Sequence, residues 1–172
     1  MTRYVALLRG VNVGGINLKM AAVAEVFRAA GLDAVKTVLA SGNVLFDSPA
    51  AAEELKPMIE AALEEAFGYD AWVHVIPVEG IRRIVEGFPF EVEREGWHPY
   101  VVFTVSAEPL AALRSLELDP ALESIAPGDG VVYWTVQRGN TLDSAVGKEL
   151  GRSRYKAVTT TRNLRTLQKL LI

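Results

Sequence analysis

The chain has 172 residues, half of them hydrophobic and 23% charged, a globular balance that suits one large domain or two small ones sharing a core. It contains no cysteine, which excludes disulfides, thiolate zinc sites, iron–sulfur clusters and cysteine nucleophiles. The net charge of −3 conceals an asymmetry: from Lys148 to Ile172 seven basic residues face one acidic residue, Glu149, for +6, while the remainder, 11 basic against 20 acidic, carries −9.

Tyr4 to Leu8 reads as a short buried strand, and Arg9 to Asn17 is rich in turn formers. Met20, Val23, Phe27 and Ala30 recur at helical spacing, so a helix is expected after Asn17, with Gly31 ending it. Val35 to Ala40 and Asn43 to Asp47 read as two strands joined by a tight hairpin at Ser41-Gly42. A second helix is expected to be capped by Ser48 and opened by Pro49, with Leu55, Ile59, Leu63, Ala66 and Phe67 on its core face and Pro57 kinking or delaying it. Ala71 to Ile76 closes this half as a strand, with Trp72, His74 and Ile76 on one face.

A bridging helix carrying Ile81, Ile84, Val85 and Phe88 then leads into an exposed connection, Phe90 to Trp97. The pattern restarts with a strand at Tyr100 to Val105, a helix at Glu108 to Leu116, and strands at Leu122 to Ala126 and Val131 to Gln137 across a Pro-Gly-Asp-Gly turn. A helix at Leu142 to Leu150, a last strand at Lys156 to Thr159 and a terminal helix at Leu164 to Leu171 complete it. The expected fold is α+β: a βαββαβ half over residues 1–77, a bridge over 78–98, and a second βαββαβ half plus an extra C-terminal helix over 99–172. Such a unit puts both helices on one sheet face, and pairing of the halves, or homodimerisation, would cover the other.

Gly10-Val-Asn-Val-Gly-Gly15 follows a strand and precedes a helix, where exposed amides attract anions. It lacks the Lys-Ser/Thr pair of a phosphate-binding loop, since Ile16 and Asn17 follow the last glycine, and glycines and asparagines supplying positive φ in a turn explain it better. Thr159-Thr-Thr-Arg-Asn163 leads into the terminal helix, so a threonine is expected to cap it, with Leu164, Leu167 and Leu171 on its apolar face and Arg162, Arg165 and Lys169 on a basic one. His74 and His98 have no second histidine at metal spacing, Ser41 lacks a nucleophile-elbow context, and Glu91, Glu93 and Glu95 fit a solvated edge. No metal site, cofactor or catalytic constellation is expected. Aromatics on central strands, the mark of RNA-binding units of this topology, reduce to Phe46.

Three stretches carry a resemblance: Ala-Leu-Leu-Arg-Gly-Val-Asn-Val-Gly-Gly at Ala6 to Gly15, Ser-Gly-Asn-Val-Leu-Phe at Ser41 to Phe46, and Thr-Thr-Arg-Asn-Leu-Arg-Thr-Leu-Gln-Lys-Leu at Thr160 to Leu170. Across nearly its whole length the chain resembles a bacterial group, the domain-of-unknown-function family 1697. It departs mildly at Leu164, where the family pattern commonly has an aromatic residue. The resemblance implies duplicated ferredoxin-like halves and no particular activity, substrate or cofactor.

A basic end on an acidic body implies either an anionic partner or internal charge pairing. The leading expectation is a protein that binds a small anion, phosphate or nucleotide, with ligand contacts from Arg9, Asn12, Gly14, Gly15, Ser41, Asn43, Thr161, Arg162 and Asn163, and with Arg9 and Arg162 meeting at one rim. An enzyme acting on a phosphorylated metabolite without metal or covalent intermediate would use the same residues. The alternatives are a structural or protein-interaction module without a small ligand, or a weak non-specific nucleic-acid binder that uses the basic end. Neither a secretion signal nor a membrane span is legible, so a cytoplasmic location and no membrane partner are expected.

Overall fold

The structure is a computed structural model and describes residues 1–9, 17–155 and 158–172. It divides into two compact units, Met1–Arg82 with Lys169–Ile172, and Arg83–Gln168.

In the first unit the chain runs β1 (Thr2–Arg9), α1 (Met20–Ala29), β2 (Asp33–Thr37), β3 (Asn43–Ser48), α2 (Ala52–Phe67) and β4 (Trp72–Pro77). The sheet order is β2-β3-β1-β4, every neighbouring pair antiparallel. A strand–helix–strand connection returns its second strand in the direction of the first, so β2 takes a place one strand away and β3 slots between as the antiparallel partner of both.

Strand alternation sorts the side chains into faces. Tyr4, Ala6 and Leu8 of β1 join Val44 and Phe46 of β3, Val73 of β4, Phe27 of α1 and Leu55, Ile59 and Leu63 of α2 in one core. Burying each large apolar side chain contributes roughly 1.5–3 kcal/mol. Phe46 anchors the cluster, stacked on Tyr4 and edge-on to Phe27, each at a centroid distance of 5.7 Å. At the end of α2, Gly68 takes a left-handed φ of 69° and its N–H donates to the Glu64 carbonyl at 2.8 Å, a closure that favours glycine.

Ser48 does not cap α2. It is the last residue of β3, its hydroxyl accepts from the Ala50 N–H at 3.1 Å, and the helix starts at Ala52 without a side-chain cap. Pro57 neither delays the helix nor ends it.

After α3 (Val78–Glu86), the second unit comprises β5 (Trp97–Thr104), α4 (Ala107–Arg114), β6 (Glu123–Pro127), β7 (Val131–Gln137), α5 (Ala145–Leu150), a 3-10 turn (Ser153–Tyr155), β8 (Thr159–Asn163) and, as far as Gln168, α6 (Leu164–Leu170). Its sheet order, β6-β7-β5-β8, repeats that of the first unit. Val102, Val132, Trp134 and Val136 pack against Leu113 of α4 and Val146 of α5. The fold is therefore α+β, two βαββαβ halves with an added C-terminal helix.

Several elements shift from their expected bounds. The last strand spans Thr159–Asn163, continuing past the expected end at Thr159 because the β-branched threonines hydrogen-bond along β5 as a sheet edge, while residues 156 and 157 of the expected strand lie outside the described residues. Asn163, not a threonine, caps α6: its Oδ1 accepts from the Arg165 N–H at 2.9 Å. The buried leucines of α6 are Leu164, Leu167 and Leu170 in place of Leu171. Leu142 lies outside α5 and is 82% exposed. The connection before β5 is exposed at Glu91, Glu93 and Glu95, but Trp97 is buried as the first residue of β5. Among the described residues no helix is long and apolar enough to cross a membrane, and no cluster of three or more acidic or histidine side chains could hold a metal ion.

Candidate functional site

β1 is a central strand, and at its C-terminal end Leu7 pairs with Asn43 of β3 and His74 of β4, while Arg9 pairs with Trp72. Successive side chains of a strand point to opposite faces. Leu8, Val44 and Val73 belong to the core beneath the helices, so Arg9, Leu7, Asn43, His74 and Trp72 occupy the other face. On that face the middle of the sheet is apolar, with Val5, Leu7 and Leu45 buried, and the polar residues Arg9, Asn43 and His74 gather at one end.

The segment between β2 and β3 lies beside this end, because the Leu8 N–H donates to the Gly42 carbonyl at 2.8 Å. It is a loop over residues 38–42, longer than the expected two-residue hairpin. Leu39 and Gly42 take left-handed φ values of 61° and 89°. Asn43 holds the loop: its Nδ2 donates to the Val38 carbonyl at 2.8 Å and to Ser41 Oγ at 2.9 Å. Both amide hydrogens are thereby used, and Asn43 braces the loop. Ser41 is exposed and its hydroxyl accepts from Asn43, so its own hydrogen is left to donate elsewhere.

Arg9 is half-buried. Its Nε is buried with no hydrogen-bond partner, and no carboxylate pairs with it among the described residues. Desolvation by burial holds its pKa below the ordinary arginine value. The contrast lies at the opposite end of β1, where Arg3 donates to Asp47 Oδ1 at 3.1 Å and to the Ala34 carbonyl at 2.9 Å. A guanidinium moved partly out of water without a compensating charge carries an electrostatic cost, which a bound anion would offset.

Among the other expected site residues, Asn12, Gly14 and Gly15 lie outside the described residues. Thr161, Arg162 and Asn163 belong to the second unit. Thr161 and Arg162 are β8 residues paired with Val102 and Val101, and Asn163 caps α6. Arg162 is only 7% exposed and its Nη1 donates to Thr160 Oγ1 at 2.8 Å and to the Thr161 carbonyl at 3.0 Å, so it is built into the strand and is not part of a solvated helical stripe. The structure thus brings Arg9, Ser41 and Asn43 together in one unit. The alternation of Trp72 with His74 is visible in the sequence, but that Trp72 stands opposite Arg9 depends on the register of β4 with β1, which is a tertiary fact.

The basic end is substantially paired inside the second unit. Arg152 Nε and Arg154 Nη2 lie 2.9 Å and 2.6 Å from the carboxylate of Glu149, and Arg165 Nη2 lies 3.1 Å from that of Glu93.

No curated protein matches the chain. Among solved structures it is similar to the conserved bacterial protein SP0830 from Streptococcus pneumoniae, with a TM-score of 0.83 and 24% identity over 98% of this chain and 96% of that one, a likeness of fold. An unknown protein from Galdieria sulphuraria aligns over 94% of this chain and 96% of its own at 15% identity, with a TM-score of 0.29 that supports no argument. The family described as "Protein of unknown function (DUF1697)" matches residues 1–133, from β1 into β7, and the chain belongs to that family.

Proposed function

We propose that the protein binds a small phosphorylated anion at the Arg9 end of the first sheet. The observation that supports this reading is the half-buried, unpaired guanidinium of Arg9, whose Nε has no protein acceptor among the described residues. A phosphate oxygen supplies an acceptor and a charge together, and charge-assisted bonds to a guanidinium are about twice as strong as neutral ones. The exposed hydroxyl of Ser41 would add a second donor, held in place by Asn43. Nucleic acid is the less favoured partner, since three basic side chains of the C-terminal segment are already engaged by Glu149 and Glu93.

The test is thermal melting with inorganic phosphate or a nucleotide at constant ionic strength. A ligand at about 100 times its dissociation constant should raise the unfolding free energy by roughly 2.7 kcal/mol. Arg9→Ala should lose most of that gain, and Arg9→Lys should keep only part, because an ammonium lacks the planar fork. Melting curves that no phosphorylated compound moves, or that move equally in Arg9→Ala, would remove the site.

A further inference from the structure

We infer that the ligand of the Arg9 site is a phosphomonoester bearing a flat aromatic group, of the nucleoside monophosphate class, whose ring lies against Trp72. The inference rests on the anion site proposed above and names what that site selects.

Trp72 stands directly opposite Arg9 in the β1–β4 register, on the same sheet face, and is half-buried. Opposed residues of an antiparallel pair hold their Cβ atoms about 4.5–5.5 Å apart, so a phosphate bound by the Arg9 guanidinium lies within one nucleoside's reach of the indole. Among the described residues β4 is an edge strand. The adjoining edge is occupied from the helix side instead: Lys56 Nζ donates to the Val73 carbonyl at 2.9 Å, and the Val73 N–H donates to Glu60 Oε2 at 3.1 Å. A second feature points the same way. Asn43 and His74, both buried, flank Leu7 on this face, giving an otherwise apolar surface a polar end beside an aromatic one. A guanidinium and an indole side by side suit a ligand with a phosphate at one end and a base at the other.

The experiment compares adenosine 5′-monophosphate, glycerol 3-phosphate and inorganic phosphate by melting titrations of the full chain at constant ionic strength. Adenosine 5′-monophosphate should bind at least about fivefold more tightly than glycerol 3-phosphate, the lower end of the range for one base stacked on an aromatic side chain. Trp72→Leu should remove that difference while leaving inorganic phosphate binding intact, and Trp72→Phe should retain most of it. Saturation-transfer NMR on the unmodified protein gives a readout independent of any variant: the adenine H2 and H8 protons should receive more saturation than the ribose protons. Equal affinity for the two phosphomonoesters, a difference that survives Trp72→Leu, or stronger transfer to the ribose would each overturn the inference while leaving the anion site standing. Failure of all three compounds to bind would overturn both.

Discussion

Glu149 is a buried carboxylate held from three sides, by the Tyr155 hydroxyl at 2.8 Å, Arg154 Nη2 at 2.6 Å and Arg152 Nε at 2.9 Å. The hydrogen bond from Tyr155, then that from Arg154, hold its pKa below the ordinary carboxylate value, outweighing desolvation, which acts in the opposite direction. A lowered folded-state pKa means that the unfolded chain takes up the proton first. The stabilisation is therefore fully present above the unfolded value of about 4.3 and fades as pH falls through the folded one. The difference in unfolding free energy between the unmodified protein and Glu149→Gln should accordingly stay level from pH 7 to about pH 5 and shrink below about pH 4. Urea melts across that range measure it, and a difference that does not change with acid would show that the carboxylate's charge is irrelevant. Arg9 is the counterpart among the residues: Glu149 is a buried anion with its cations supplied by the chain, whereas Arg9 is a half-buried cation for which the described residues supply no anion.

α5 shows how tightly one short element can be specified. Its N-terminus is held by Ser144, whose hydroxyl accepts from the Gly147 N–H at 3.0 Å. The buried carboxylate of Glu123 accepts from the Ala145 N–H at 2.8 Å and from Trp134 Nε1 at 3.0 Å. Gly147 permits this arrangement, because a Cβ there would stand 1.8 Å from the Thr141 carbonyl oxygen, a backbone atom that cannot swing aside. Gly147→Ala should therefore cost about 3 kcal/mol or more, far beyond the few tenths that an exposed helical position allows, by forcing the preceding loop off the helix. Chemical denaturation reads that loss, and a stability unchanged or raised by the substitution would contradict the close approach. Edge strand β4 carries a different device: Lys56 and Glu60, one turn apart on α2, occupy both backbone groups of Val73 and blunt the edge against strand addition.

At the scale of the whole molecule the charge asymmetry remains, but much of it is spent locally. With Arg152, Arg154 and Arg165 paired and Arg162 buried, any affinity for duplex DNA should be non-specific and fall steeply between low and physiological salt as counterions are released. Fluorescence anisotropy titrations in a salt series measure this, and an affinity that stays flat would reveal a built nucleic-acid site.

Element type and order were legible in the amino-acid sequence because periodicity is local: the 3.6-residue stripe of Val23 and Phe27, the alternation of Trp72, His74 and Ile76, and the glycine at 31 each act within a few residues. The duplicated βαββαβ order followed from that succession. A last strand was expected, but its run through the polar residues Thr159–Asn163 was not legible, since that strand character comes from hydrogen bonds to β5 more than fifty residues earlier and not from an apolar pattern of its own. The candidate site divides along the same line. Arg9, Ser41 and Asn43 stand out as a charged residue and turn formers at strand ends, but that Leu7 lies between Asn43 and His74, and Arg9 opposite Trp72, depends on the register of β1 with both neighbours. Register is a long-range property, selected by which face of each strand can be buried. Sequence alone determined the elements and their chemistry, and only the tertiary structure decided which side chains face one another, because the energy that selects the pairing comes from side chains far apart along the chain.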